Sequence, residues 1–184
     1  DFWDGRKYNV SDKSIFADRT YVVLASSNEG RMLTLVDRLQ AQDVELFTNS
    51  REIKIGKALL QSGEMKKDFT IPPGSLIIPN RQPEAPLIAA IMEFDAELKK
   101  SVLIEERQKT LKNGSSIMYD TTAWNLTMMY GLPAVTVNEE IKDGLSPWEA
   151  ETADISVDSN ANAWSVDGDD DRSVAFAARL MEQG

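Results

Sequence analysis

The stretch TYVVLASS, Thr20 to Ser27, is a short β-branched apolar run with no charge in it, the composition of a strand buried on both faces. It leads into NEGRMLTLVDRLQAQD, where Met32, Leu35, Val36 and Leu39 recur at i, i+3, i+4 and i+7. That spacing lines one face of a helix, and Asn28 stands where its side chain can accept a free amide of the first turn. VELF, Val44 to Phe47, follows as the next strand. Strand, helix and strand in this order form a β-α-β unit, whose right-handed crossover implies parallel strands. The expected fold class is α/β, a mostly parallel sheet flanked by helices, Rossmann-like or amidotransferase-like.

Further elements fit this scheme less evenly. GSLIIPN reads as a strand stopped by Pro79 and Asn80. A helix is predicted near QPEAPLIAAIMEFD, with Pro83 in its first turn and Leu87, Ile88, Ile91 and Met92 as its stripe. LKKSVLIEERQKTLKNG ends on the turn signal Asn113-Gly114, TTAWNLTMMYG reads as a short helix closed by Gly131, and PAVTVN as a strand. The stretch from Arg51 to Asp95 shows no clear period outside the strand at GSLIIPN and the helix after it, and DGLSPWEAETADISVDSNANA reads as a polar loop with a short strand at ADISV. Residues 1 to 18 read as an entering arm and residues 19 to 184 as one α/β domain. Its main part is 19 to 158, followed by a second strand-turn-helix unit at 159 to 184.

That second unit emerges from sliding the tail back by 141 positions onto the first. AWSVDGDDDRSVAFAARLMEQG then overlays VVLASSNEGRMLTLVDRLQAQD, pairing Arg172 with Arg31, Arg179 with Arg38, Leu180 with Leu39 and Gln183 with Gln42. Element type, turn position and helix register agree, which a chance match of four identities would not require. In the first copy a strand follows, so the fold is expected to be incomplete at its C-terminus and the chain to be a piece of a longer protein.

The overlay also bears on Asp167, Asp169, Asp170 and Asp171, which resemble the opening of a calcium loop. Counted from Asp167, the sixth position is Arg172 and the twelfth Ala178, where an EF-hand needs Gly and Glu. The overlay places these aspartates at a helix entrance, where carboxylates satisfy free amides and complement the helix dipole. Capping is the favoured reading and a bound cation the alternative.

Composition narrows the function. The chain has 30 acidic and 20 basic residues, so no basic footprint invites nucleic acid or an anionic membrane. No apolar run approaches the ~18 residues of a membrane span, and DFWDGRKYNV lacks the features of a signal peptide. The chain as given is expected to be neither anchored nor self-targeting. It contains no Cys and no His, which removes Ser-His-Asp and Cys-His catalysis and the usual zinc ligands. No residue is assigned a catalytic or metal-ligating role.

Two places are candidates for ligand binding. Ser26, Ser27 and Asn28 lie at the C-terminal end of a strand, where open α/β sheets often bind ligands. Tyr119, Asp120 and Trp124, within MYDTTAW, could form a polar-aromatic pocket for a sugar or peptide. In each case the structural alternative weighs more: a helix start at Asn28, and a cap at Asp120 with aromatic rings buried around it. Asn9, Asn113 and Asn125 each head an N-x-[ST] sequon. Glu105-Glu106 and Glu139-Glu140 are adjacent carboxylates of the kind a chain this acidic acquires by chance.

Gly74-Ser75, Gln82-Pro83 and Tyr119-Asp120-Thr121-Thr122-Ala123-Trp124 occur in the order of a known pattern. Over residues 65 to 135 the chain resembles the region downstream of the catalytic domain in large secreted bacterial zinc carboxypeptidases of the carboxypeptidase A type. That region is similar to class I glutamine amidotransferase-like domains. The metal-binding His-x-x-Glu and distant His of the peptidase, and the Cys and His of an amidotransferase, have no counterpart here, so no catalytic residue carries over. The resemblance implies a non-catalytic accessory domain in an extracytoplasmic setting, periplasmic or secreted. Its partner would be the catalytic domain of the same parent protein, with zinc only in that domain and no cofactor in this chain. The rival reading is a module that binds cell-wall sugar or peptide.

Overall fold

Thr20 to Val23 lie at the centre of the molecule, and all four of these residues are buried. The computed structural model of the chain describes residues 1–94, 99–116, 125–150, 163, 165 and 168–183. Its elements are α1 (Phe2–Asn9), β1 (Thr20–Val23), α2 (Glu29–Gln40), β2 (Phe47–Asn49), β3 (Ile53–Leu60), β4 (Met65–Ile71) and β5 (Leu76–Pro79). There follow α3 (Ala85–Met92), α4 (Lys100–Asn113), α5 (Leu126–Met129), β6 (Ala134–Val137), β7 (Leu145–Pro147) and α6 (Asp171–Gln183). The strand expected at ADISV lies outside the described residues, as does all of AWSV except Ala163 and Ser165.

The described strands form one seven-stranded sheet in the order β4-β3-β6-β1-β5-β2-β7. Every pairing in it is antiparallel, which overturns the expected mostly parallel, Rossmann-like or amidotransferase-like sheet. The physical reason lies at β5. Strands β1 and β2 both run opposite to β5, so α2 does connect two strands of the same sense. A β-α-β unit sets relative direction, however, and leaves adjacency open. Here β5 occupies the gap, pairing Ile78 with Tyr21 on one side and Leu76 with Thr48 on the other.

Alternation along β1 divides the core into two layers. Tyr21 and Val23 face Leu35, Val36 and Leu39 of α2 together with Ile88 and Met92 of α3. Val22 belongs to the other layer, with Ile77 and Val135, and that side is covered by Ile55, Ala58 and Ile71 of the β3–β4 hairpin. Each fully buried aliphatic side chain contributes on the order of 1.5–3 kcal/mol relative to exposure.

The hairpin occupies the stretch without a clear period. Its turn is Gln61 to Glu64, closed by the Leu60 N–H donating to the Glu64 carbonyl at 2.9 Å, with Gly63 at a φ of 81°. The ladder is interrupted between Ile55↔Phe69 and Lys57↔Lys67, where Asp68 takes a φ of 52° opposite Gly56. The register is the same on both sides of the break, so no residue is inserted there.

The expected entering arm contains a helix. Asp1 and Asp4 form a capping box at the start of α1. Arg6 pairs with Glu84, and Asn9 Nδ2 donates to the Pro83 carbonyl at 2.9 Å, so α1 is fastened to the start of α3. Pro86, rather than Pro83, stands in the first turn of α3. Along α4 no side chain is buried, and Gly114 ends the helix at a φ of 64°.

Candidate functional site

Past Val23 the chain leaves the sheet and turns into α2. Ser26 Oγ accepts the Asn28 N–H at 3.2 Å, and Asn28 Oδ1 accepts the Arg31 N–H at 3.0 Å, which caps α2. Both side chains therefore build the loop and helix start, while Ser27 is exposed beside them. Tyr119, Asp120 and Trp124 lie outside the described residues.

The same helix entrance receives the tail. Asp170 Oδ2 accepts the Gly30 N–H at 3.1 Å, and Asp170 Oδ1 accepts the Arg172 N–H at 2.8 Å. One carboxylate thus serves the first turns of α2 and α6 together. Asp171 is gripped by Arg31 through Nε at 2.7 Å and Nη2 at 3.1 Å, and Asn28 Nδ2 adds a third donor at 3.2 Å. In the opposite direction, Arg172 Nη2 donates to Glu29 at 2.8 Å and to Asp170 at 2.7 Å. The arginines paired by the repeat, Arg31 and Arg172, each reach across to an acid of the other helix.

These contacts set the ionisation of the junction. Hydrogen bonds from the Arg172 side chain, then from the backbone N–H groups of Arg172 and Gly30, hold the Asp170 carboxyl at about 2, below its usual 3.8. Arg31 and Asn28 lower Asp171, and the hydrogen bond to Asp170 is the main cause that raises Arg172. Only 6 % of Asp170 is exposed, yet it sits at the rim of the molecule, covered by the arginine and glycine it binds rather than by depth.

A cleft of about 600 Å³ opens beside the junction, lined by Gly30, Arg31, Thr34, Tyr130, Gly131 and Ala175 among others. Arg31 Nη1 also donates to the Tyr130 carbonyl at 3.3 Å. Gly131, at a φ of 62°, follows α5, and a Cβ there would stand 2.9 Å from Arg31 Nη1. Among the described residues, no group of three or more His, Cys, Asp or Glu is placed to hold a metal ion. The junction consists of hydrogen bonds and ion pairs between Glu29, Asp170 and Asp171 and the two arginines, an arrangement that fastens helices together.

Beyond its first turn α6 changes character. Val174, Phe176, Leu180 and Met181 are all exposed, Leu180 by 51 %. In the α2 register its counterpart Leu39 is 0 % exposed. The exchanged ion pairs and this uncovered face escaped reading from sequence, although the signal was there in the alignment of Arg31 with Arg172.

The sequons separate by burial. Asn9 and Asn125 are buried, their amides donating to the Pro83 and Met92 carbonyls, whereas Asn113 is exposed at the end of α4. No protein-family model, no curated protein and no solved structure matches this chain.

Proposed function

We propose that the chain is a non-catalytic accessory domain of a secreted, extracytoplasmic zinc carboxypeptidase-type peptidase, which it supports or positions by docking against the catalytic domain. The observation that carries the reading is α6, an amphipathic helix anchored through its first turn whose apolar face is uncovered. Helices of this length are marginal alone and gain most of their stability by packing such a face. The sequence supports the same reading, since it holds neither His nor Cys and carries the motif run between residues 65 and 135.

The test is calorimetric titration of the chain into a catalytic domain of that peptidase type, beside an assay of the chain with C-terminal peptide substrates and zinc. Saturable binding weakened by Phe176→Glu supports the proposal. Turnover by the chain alone, or the absence of binding heat, rejects it.

A second reading, a module for cell-wall sugar or peptide, is supported by the cleft at the helix junction, where Arg31, Thr34 and Tyr130 meet, although Ser26, Ser27 and Asn28 do not line it. Saturable, Arg31-dependent binding on a muropeptide array would support it over docking alone.

A further inference from the structure

We infer that the wedge where β3 parts from β6 is a binding site for a small zwitterion of the α-amino acid kind, its carboxylate meeting Lys57 and its ammonium meeting Glu139. The site uses no residue of α6 and does not rest on the docking role proposed above.

The ladder between β3 and β6 consists of Leu59↔Thr136 and Leu60↔Val135. Continued in that register it would bring Lys57 opposite Asn138, but it stops at Thr136. Towards its start β3 instead turns Ile55 and Ala58 into the core layer of Val22, Ile77 and Val135. A cleft of about 370 Å³ fills the gap, lined by Gly56 and Lys57 of β3, Met65 of β4, Thr136 of β6, and Asn138 and Glu139 just past its end. Thr20 Oγ1 donates to the Glu139 carbonyl at 2.9 Å, which fixes the far wall.

The polar groups of this wall lack partners. Among the described residues neither Lys57 nor Glu139 forms an ion pair, although both line one cleft. Lys67 stands directly opposite Lys57 in the β3–β4 ladder, and like charges so placed repel until an anion meets them. Thr136 is 3 % exposed, and its Oγ1 is buried without a hydrogen-bond partner. A stranded hydroxyl costs free energy that a ligand recovers by bonding it, and rotation about χ1 turns this one towards the cleft that Thr136 lines.

The two charges select the ligand class. A free anion would satisfy Lys57 but meet Glu139 and a chain of net charge −10, whereas a free amine would meet the opposed lysines. A molecule carrying both charges compensates both walls at once. Met65, 49 % exposed, offers its thioether to an apolar side chain.

Calorimetric titration of the chain with L-leucine, N-acetyl-L-leucine, L-leucinamide and sodium phosphate is the test. Leucine is expected to bind saturably, and the two blocked forms, each missing one charge, at least tenfold more weakly. Lys57→Gln and Glu139→Gln alter exposed side chains and should each lower leucine affinity at least tenfold with the urea midpoint unchanged. Thr136→Val should weaken leucine several-fold while raising that midpoint, a combination that loss of folding cannot produce. Phosphate binding as tight as that of leucine, no saturable heat with leucine, or unchanged affinity in any of the three variants overturns the inference.

Discussion

The carboxylate of Asp170 accepts the backbone N–H of Gly30 at 3.1 Å, joining two helix entrances that lie 140 residues apart. The approach is close because residue 30 is glycine. A Cβ there would stand 2.7 Å from Asp170 Oδ1 and 2.8 Å from Arg172 Cγ, inside van der Waals contact with both.

Gly30→Ala is therefore expected to loosen α6 while leaving the body of the domain folded. Alanine favours a helix over glycine by about 1 kcal/mol, so α2 itself gains from the change. The loss should fall on the junction. Amide hydrogen exchange checks this: protection should fall along α6 and persist in β1 and β5. Unchanged protection in α6 would show that the junction is not what holds it.

Acid should release the same contact. The folded Asp170 carboxyl lies at about 2, below the ordinary 3.8, so its contribution is present above about pH 4 and is lost as pH falls through about 2. Asp171, lowered by Arg31, moves in the same direction. A label attached to a cysteine introduced at Leu180 should report mobility rising over that interval, and in Asp170→Asn the same mobility should already be present at pH 7.

The two leucines that share a register should respond very unequally to truncation. Leu39→Ala opens a hole in the layer between α2 and the sheet, with an expected cost of about 2–5 kcal/mol in urea unfolding. Leu180→Ala removes a side chain that is 51 % exposed, and its effect on the same transition should stay within about 0.5 kcal/mol. A comparable loss in both would mean that the α6 face is packed within the chain.

Thr136 offers a gain. It lies on β6 between Tyr21 and Leu59, is 3 % exposed, and its Oγ1 has no hydrogen-bond partner. Valine has nearly the same shape and lacks the stranded hydroxyl. Thr136→Val is expected to raise stability by about 1 kcal/mol, visible as a higher urea midpoint at unchanged slope.

Several elements were legible before the fold because their signals are local. The β-branched run at Thr20 and the stripe from Met32 to Leu39 depend only on the next few residues, as do the strand at Leu76 and the glycine that follows α5. Other elements were obscured. Lys54, Lys57, Lys66 and Lys67 dilute the alternation of the β3–β4 hairpin. Helix α1 has little apolar periodicity and is held instead by its capping box and by Arg6 and Asn9. Of the candidate site, Asn28 was legible as a cap and its bond to Asp171 was not, because that partner comes from the far end of the chain.

By itself the sequence determined the apolar patterns of β1, α2 and β5, and it withheld the His and Cys that most hydrolytic and zinc chemistry needs. Local pattern controls such properties, because helix and strand propensity act over a single turn or strand, whereas Leu39 is buried and Leu180, at the matching position, is 51 % exposed. Only the tertiary structure decided that β5 inserts between β1 and β2 and makes the sheet antiparallel, and that Asp170 binds Gly30. Strand adjacency and cross-helix pairing are competitions among distant segments for the same backbone groups. Their outcome depends on which segment covers the remaining apolar surface, a quantity no short window of sequence contains.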